Sequence, residues 1–318
     1  MRVGHNPAKS IWEVAQPRDL SVTIVNFIPV LRGFHQDSLK VLQACLESIR
    51  ATLEVPFDLM VFDNHSCPEV REYLFDMLKQ DQIQYLVLSD TNIGKIGAWN
   101  YLFGAAQGRY IAYADSDALF RPGWLQDAMA IFDTYPKVGM VTGCPMRNSE
   151  RSINAVSEAW GRQQGVLQEG TFVRWEDYLE LALAVGKTEE EAKDRYEKDT
   201  DYLMDYRGQK AMIGASHFQF VALGEVLKKL IPMPSNAPMR GEIILDRTIN
   251  DMGLMRLASV NPYVLHMGNR VETLPNLPAG APKRRRSLLH RIIWLPGIRR
   301  VVHWLYHRLF RLIYDSVE

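Results

Sequence analysis

The chain has 318 residues, 47% apolar and 23% charged, enough for one large or two modest domains with a full core, which excludes disorder of the whole chain. Its formal net charge of zero conceals an asymmetry: Lys283 to Glu318 carries nine Lys/Arg against two acids, +7, leaving −7 for Met1 to Pro282. A basic tail on an acidic body points to an anionic surface as the tail's partner. The three cysteines, Cys45, Cys67 and Cys144, are odd in number and lack CxxC spacing, so they indicate neither a disulfide framework nor a structural zinc site. Free thiols in a reducing compartment are expected.

Met1 to Asp19 reads as an N-terminal extension with mixed charges and two prolines but no apolar core of signal-peptide length, which predicts no export. No segment approaches about 20 uncharged apolar residues, so no spanning helix is expected. From Leu20 to Thr142 short β-branched runs alternate with helical patterns, the signature of strands and crossover helices in a mostly parallel sheet. Strands are predicted at Ser21–Phe27, Phe57–Phe62, Gln84–Leu88, Arg109–Ala114 and Val138–Thr142. Helices are predicted near Asp37–Leu53, Pro68–Lys79, Gly94–Ala106 and Pro122–Tyr135. The stretch Asn148–Met212 reads as an acidic helical insertion, with helices at Glu176–Val185 and Glu189–Tyr206 and no strand alternation. A mixed segment, Ile213 to His266, holds an apolar run at His217–Leu223 and a helix at Ile243–Met252. A proline-rich linker, Leu274–Pro282, precedes the tail.

In an open α/β sheet ligands sit beyond the carboxyl ends of the strands, which directs attention to Pro29, Asp63–Ser66, Asn92–Lys95 and Asp115–Asp117. The strongest local signal is Tyr110-Ile-Ala-Tyr-Ala-Asp-Ser-Asp117, an apolar strand ending in two acids separated by one small residue. Where a buried strand meets solvent, two carboxylates can share a hard divalent cation that also holds a diphosphate; elsewhere such a pair is a solvated turn. Around it lie Phe27-Ile-Pro29 after the first strand, Val61-Phe-Asp-Asn-His-Ser66 after the second, and Asn92-Ile-Gly-Lys-Ile-Gly-Ala-Trp-Asn100 opening a helix. Downstream are Arg121-Pro-Gly-Trp124, Gly241-Glu242-Ile-Ile-Leu-Asp246 and His266-Met-Gly-Asn269.

Taken in order across roughly Val22 to Gly268, these elements resemble family 2 glycosyltransferases of the GT-A fold: a Rossmann-like, mostly parallel sheet flanked by helices, here with a helical insertion and a C-terminal amphipathic tail. The resemblance implies a metal-dependent enzyme moving a sugar from a nucleotide-diphospho-sugar, UDP-sugar by default, to a glycan or lipid-linked acceptor with inversion, in cell-envelope polysaccharide assembly. It places Phe27, Pro29, Asp63, Asn92, Lys95 and Asp115 against the nucleotide-sugar, with Asp63 on the base and Asp115 on the ribose side. It places Asp115, Asp117 and His266 around Mn²⁺ or Mg²⁺. Asp63 reads alternatively as a turn cap, Lys95 as an exposed helix-start lysine, and His266 as a satisfied core histidine. The glycines after Asn92 permit close backbone approach, and a helix N-terminus favours an anion. The family's Glu-Asp base motif is replaced by Gly241-Glu242, which leaves the catalytic base open between Glu242 and Asp246.

Trp160, Phe172, Trp175, Tyr178, His217 and Phe218 are candidates to stack on a sugar but read more readily as core. In the tail, Ile298, Val301, Val302, Leu305, Leu309, Leu312 and Ile313 recur at helical spacing, with Arg299, Arg300, His303, His307, Arg308 and Arg311 mostly opposite. That pattern predicts an interfacial helix on an anionic membrane surface, hence a peripheral protein at the cytoplasmic face; a docking helix is the alternative. The body carries no nucleic-acid-binding motif. A sugar-phosphate nucleotidyltransferase would show a glycine-rich loop with Arg and Lys after the first strand, where Asn26-Phe-Ile-Pro29 stands instead; an inactive membrane scaffold of the same fold is the remaining alternative.

Overall fold

The computed structural model describes residues 4, 6, 8, 14–147, 151–235 and 241–269. The chain opens with β1 (Leu20–Asn26), α1 (Ser38–Thr52), β2 (Phe57–Asn64), α2 (Pro68–Lys79), β3 (Tyr85–Ser89), α3 (Gly94–Ala105) and β4 (Tyr110–Asp115). It continues through β5 (Ala118–Phe120), α4 (Trp124–Thr134) and β6 (Val138–Thr142). Every predicted strand and helix of this half is present, displaced by at most two residues at an end. After it come α5 (Ala155–Gln164), β7 (Leu167–Gly170), α6 (Trp175–Ala184), α7 (Glu189–Lys198), β8 (Asp201–Tyr206) and β9 (Gln209–Ile213). The described chain closes with β10 (Gln219–Leu223), α8 (Gly224–Leu230), α9 (Ile243–Asp251), β11 (Met255–Ala258) and β12 (Val264–His266).

Ten strands form one sheet in the order β3-β2-β1-β4-β10-β6-β11-β9-β8-β7. β7, β9 and β10 run against the other seven. Side chains alternate between its faces. Val22 and Ile24 of β1, Leu59 and Val61 of β2, and Ala112 and Ala114 of β4 pack under α1, α2 and α4. Met60, Phe62, Ile111 and Tyr113 pack under α3, α8 and α9. Both faces are covered, which is why these strands read as nearly continuous apolar runs. From β1 the chain crosses outward to β2 and β3, then returns to β4 on the other side, so a crevice opens between the carboxyl ends of β1 and β4.

The insertion departs from expectation. Its helices are present, but β7, β8 and β9 extend the sheet, and the helix predicted over Glu189–Tyr206 stops at Lys198. α7 starts on a reciprocal capping box between Thr188 and Glu191. β8 and β9 are joined by Arg207-Gly208, both at positive φ (54° and 83°), the two-residue turn whose twist matches antiparallel strands. Alternation in Asp201-Tyr-Leu-Met-Asp-Tyr206 is masked because four of its six side chains are buried.

The ends of β1 and β4 approach closely at Gly108, where an added Cβ would lie 2.6 Å from the Ser21 nitrogen and 2.8 Å from the Tyr110 oxygen. Both neighbours include backbone that cannot rotate away. Gly108→Ala is therefore expected to destabilise the fold by about 1–3 kcal/mol through overpacking, read as a lower urea midpoint with unchanged slope. Among the described residues no helix is long and apolar enough to cross a membrane. The linker and basic tail, with their membrane assignment, lie outside the described residues.

Candidate active site

The loops at the carboxyl ends of β1, β2 and β3 are tied together by Asp63. Its Oδ1 accepts from Asn26 Nδ2 at 3.1 Å, and its Oδ2 from the Ser66 backbone N–H and Arg71 Nε, both at 3.1 Å. Ser66 Oγ in turn accepts from Asn26 Nδ2 at 2.9 Å and from the Ile28 N–H at 3.0 Å, while Arg71 also donates to the Ser89 carbonyl. Asp63 is completely buried. It differs from the open base contact expected of it: both oxygens are engaged, and it fixes the loop that presents exposed His65, held at φ 72°.

Phe27 is 38% exposed at the crevice rim, with Pro29 half-buried behind it. Asn92 is exposed, and its Oδ1 accepts from Asn64 Nδ2 at 2.8 Å and from the Gly94 N–H at 2.9 Å. Gly94 sits at φ 72°, so glycine is required where α3 begins. One residue on, Lys95 points back under the sheet end. Its Nζ lies 2.7 Å from Asp115 Oδ2 and 3.1 Å from the His217 carbonyl, over the rings of Trp99 and Tyr113. The Tyr113 hydroxyl donates to Asp115 Oδ1, and burial, with Asp115 beside it, pushes that phenol far up. Asp115 thus has both oxygens engaged before any ligand arrives. Having about four lone-pair sites, it can still accept from a hydroxyl, which suits the ribose role better than the metal role.

Asp117 is different: its Oδ1 is buried with no hydrogen-bond partner. Burial, reinforced by Asp115 and opposed by His266 and Lys95, pushes its carboxyl up to about 6. The small sheet of β12 on β5 sets His266 opposite Ala118, with the Met267 N–H on the Asp117 carbonyl at 2.8 Å. His266 Nε2 then lies 3.6 Å from Asp117 Oδ2. Because the Gly268 N–H donates to His266 Nδ1 at 3.1 Å, the proton of the neutral ring sits on Nε2. His266 as placed presents its Nε2–H toward Asp117 at a distance beyond a hydrogen bond, which is not the arrangement of a metal ligand. Among the described residues no group of three or more His, Cys, Asp or Glu is arranged to hold a metal ion. The orphaned Asp117 oxygen nevertheless fits one carboxylate ligand of a divalent cation whose other ligands come from a diphosphate and water.

Of the two candidate bases, Asp246 is enclosed. It is 1% exposed, with Oδ1 2.6 Å from Arg256 Nη2 and Oδ2 2.6 Å from His217 Nε2, so it has no open oxygen for an acceptor. Glu242, half-buried at the start of α9, makes no side-chain hydrogen bond to another described residue. Of the candidate stacking aromatics, Trp160 packs on Tyr135 and Tyr206, Trp175 and Tyr178 cluster with Tyr196, and Phe218 backs the His266 ring at 5.1 Å. Only Phe172 among them is substantially exposed, at 38%. His217 belongs to none of these packing roles, and no sequence signal links it to Asp246, 29 positions away.

A cleft runs from Phe27 and Ile28 past Ser116 and Asp117 to His266 and Asn269. Its far wall is Leu183–Gly186, at the end of α6. The insertion therefore shapes the same cleft that the strand ends open. The site is thus a switch-point crevice in a Rossmann-like α/β sheet, with aspartates at its mouth and a lysine and a histidine against them.

Residues 29–185 match the family model for glycosyl transferase family 2. A stretch of 100 residues is 26% identical to an uncharacterized glycosyltransferase of Nostoc sp. (strain PCC 7120), covering 31% of each chain. Similar solved structures include S. aureus TarS 1-349, at 13% identity and TM-score 0.42, over 76% of this chain and 58% of that one. Another is the mannosyltransferase PcManGT from Pyrobaculum calidifontis in complex with GDP-Man and Mn²⁺, at 15% identity and TM-score 0.44, over 80% and 61%. The chain thus spans about a third of the curated relative and about three-fifths of these structures.

Proposed function

We propose that the chain is a nucleotide-sugar glycosyltransferase that moves a sugar from a nucleotide-diphospho-sugar to an acceptor hydroxyl. The observation that carries this reading is the orphaned Asp117 oxygen at the mouth of the crevice in a family 2 domain. Asp117 would hold a divalent cation, Mn²⁺ or Mg²⁺, which would supply positive charge against the departing diphosphate. Lys95 and the Nε2–H of His266 add fixed donors on the same side. Asp115 accepts from the ribose, Phe27 and Pro29 form the apolar wall beside the base, and exposed Asn92 offers its amide at the rim. Glu242 receives the acceptor hydroxyl on the other face of the sugar, which makes the reaction inverting. A UDP-sugar remains the default donor and a glycan or lipid-linked chain of the cell envelope the acceptor, with an anionic membrane surface as the tail's partner.

The test is isothermal titration of the protein with UDP, dTDP and GDP, then UDP-GlcNAc and GDP-mannose, with and without Mn²⁺, beside Lys95→Met. Metal-dependent binding of one nucleotide is expected, weakened about 10-fold or more by Lys95→Met through loss of a charge-assisted contact. Folded protein that binds none of them under any metal condition returns the chain to the scaffold reading.

A further inference from the structure

At the carboxyl-end rim, one residue from the donor site, lies a polar relay of which the sequence motifs contain only Asp246. β10 runs antiparallel to β4 with Gln219 opposite Ala114, and the Asp115 N–H donates to the Phe218 carbonyl at 2.7 Å. His217 therefore stands beside the Asp115–Asp117 turn, its own carbonyl held by Lys95. Its ring meets α9, with Nε2 2.6 Å from Asp246 Oδ2. Asp246 Oδ1 is ion-paired with Arg256 Nη2 at 2.6 Å, and Arg256, 2% exposed, donates to the Ala215 carbonyl at 2.8 Å and to Asn154 Oδ1 at 2.9 Å.

This arrangement has a chemical consequence. A carboxylate accepts, so the proton of the neutral imidazole resides on Nε2 and the lone pair on Nδ1. Nδ1 makes no hydrogen bond among the described residues, and the His217 side chain is 30% exposed whereas Asp246 and Arg256 are closed off. A buried acid that orients a half-open histidine is the general arrangement of an activated proton acceptor. A histidine merely filling core would need neither a buried, charge-balanced carboxylate behind it nor an open face. Glu242, one helical turn before Asp246, shares its face of α9.

We propose that His217 is the proton acceptor for the attacking hydroxyl and Asp246 its positioning residue, with Glu242 holding the acceptor rather than deprotonating it. The proposal rests on the glycosyl-transfer reading. As the acceptor oxygen bonds to the anomeric carbon, its proton passes to His217 Nδ1. The bond from that carbon to the diphosphate oxygen breaks, and its electron pair leaves with the diphosphate. The imidazolium so formed lies against the Asp246 carboxylate and returns its proton to solvent afterwards.

Water can stand in for the unknown acceptor, so the test is release of nucleotide from UDP-GlcNAc and GDP-mannose with Mn²⁺, beside donor affinity by titration. His217→Gln, whose amide can still reach Asp246, is expected to bind donor within about twofold of wild type and to turn over at least about 100-fold more slowly. Added imidazole should restore part of the rate to His217→Ala but none to Asp246→Asn, which is expected to lower kcat without changing KM. Wild-type turnover in His217→Gln, no rescue by imidazole, a bound donor that wild-type protein never turns over, or loss of turnover in Glu242→Gln alone overturns the assignment of His217. Failure of wild-type protein to bind either sugar nucleotide overturns the transferase reading beneath it.

Discussion

Asp117→Asn is expected to make the metal-free protein more stable while removing its metal-dependent nucleotide binding. The Asp117 carboxyl is pushed from 3.8 up to about 6, first by burial and then by Asp115, with His266 and Lys95 only partly compensating. Its folded value lies above its unfolded one, so the folded state holds the proton more tightly. The associated stability is present in full below about pH 4 and is lost as pH rises to about 6. Above that the fold carries a cost of about 1–3 kcal/mol, which an isosteric amide removes. Melting at pH 7.5 should therefore show a higher Tm for Asp117→Asn without Mn²⁺ and a smaller rise on adding it. For the native carboxylate, protons compete with the cation, so metal-dependent binding should weaken about 10-fold per pH unit below 6. A variant that melts lower and still binds nucleotide with Mn²⁺ would show that Asp117 is structural.

A larger loss is expected from Arg147→Met. Arg147 and Asp201 form a buried pair, Nε to Oδ1 at 2.7 Å, with side chains 2% and 0% exposed. The guanidinium also donates to the carbonyls of Tyr196 and Asp199 and lies 3.9 Å from the centre of the Tyr196 ring. Asp201 Oδ2 accepts from the backbone N–H groups of Phe172 and Val173, at 2.7 and 2.8 Å. Removing the cation strands a buried carboxylate, at a cost of about 3–5 kcal/mol. The pair joins the end of β6 to both flanks of α6 and α7, so the damage should concentrate in the wall at Leu183–Gly186. Urea unfolding should show the lost stability, and hydrogen exchange should rise first between residues 172 and 201. Asp201→Leu on the same background should recover part of it, limited by the two backbone N–H groups left without an acceptor. A midpoint within experimental error of wild type would mean that water reaches the pair.

Of the candidate site, the side of the cleft built from β1 to β4 was legible in the chain, because strands that emerge buried on both faces have apolar runs with abrupt ends. What stands at those ends is local: Asn92 to Lys95 starts a helix, and Asp115 and Asp117 finish a strand. Roles that depend on what faces a side chain were not legible. Asp63, expected on the base, is closed by Arg71 eight residues later. Asp246, offered beside Glu242 as a candidate base, is ion-paired with Arg256 from a neighbouring strand and turned toward His217. The strands of the insertion escaped for a related reason: β8 is buried along most of its length, and its partner is set by a turn whose two residues, Arg207 and Gly208, show their positive φ only once folded.

By itself, then, the amino-acid order determined the alternation of strand and helix from Leu20 to Thr142, the aspartate pair at Asp115 and Asp117, and the resemblance to the family whose model residues 29–185 match. These follow from periodicity and short-range spacing, which the backbone imposes without reference to distant residues. Only the tertiary structure decided which carboxylates are open, which histidine tautomers are held, and that the insertion forms a wall of the cleft. Those outcomes depend on burial and on hydrogen bonds between residues far apart in the chain, and a buried polar group takes whichever partner the packing brings to it.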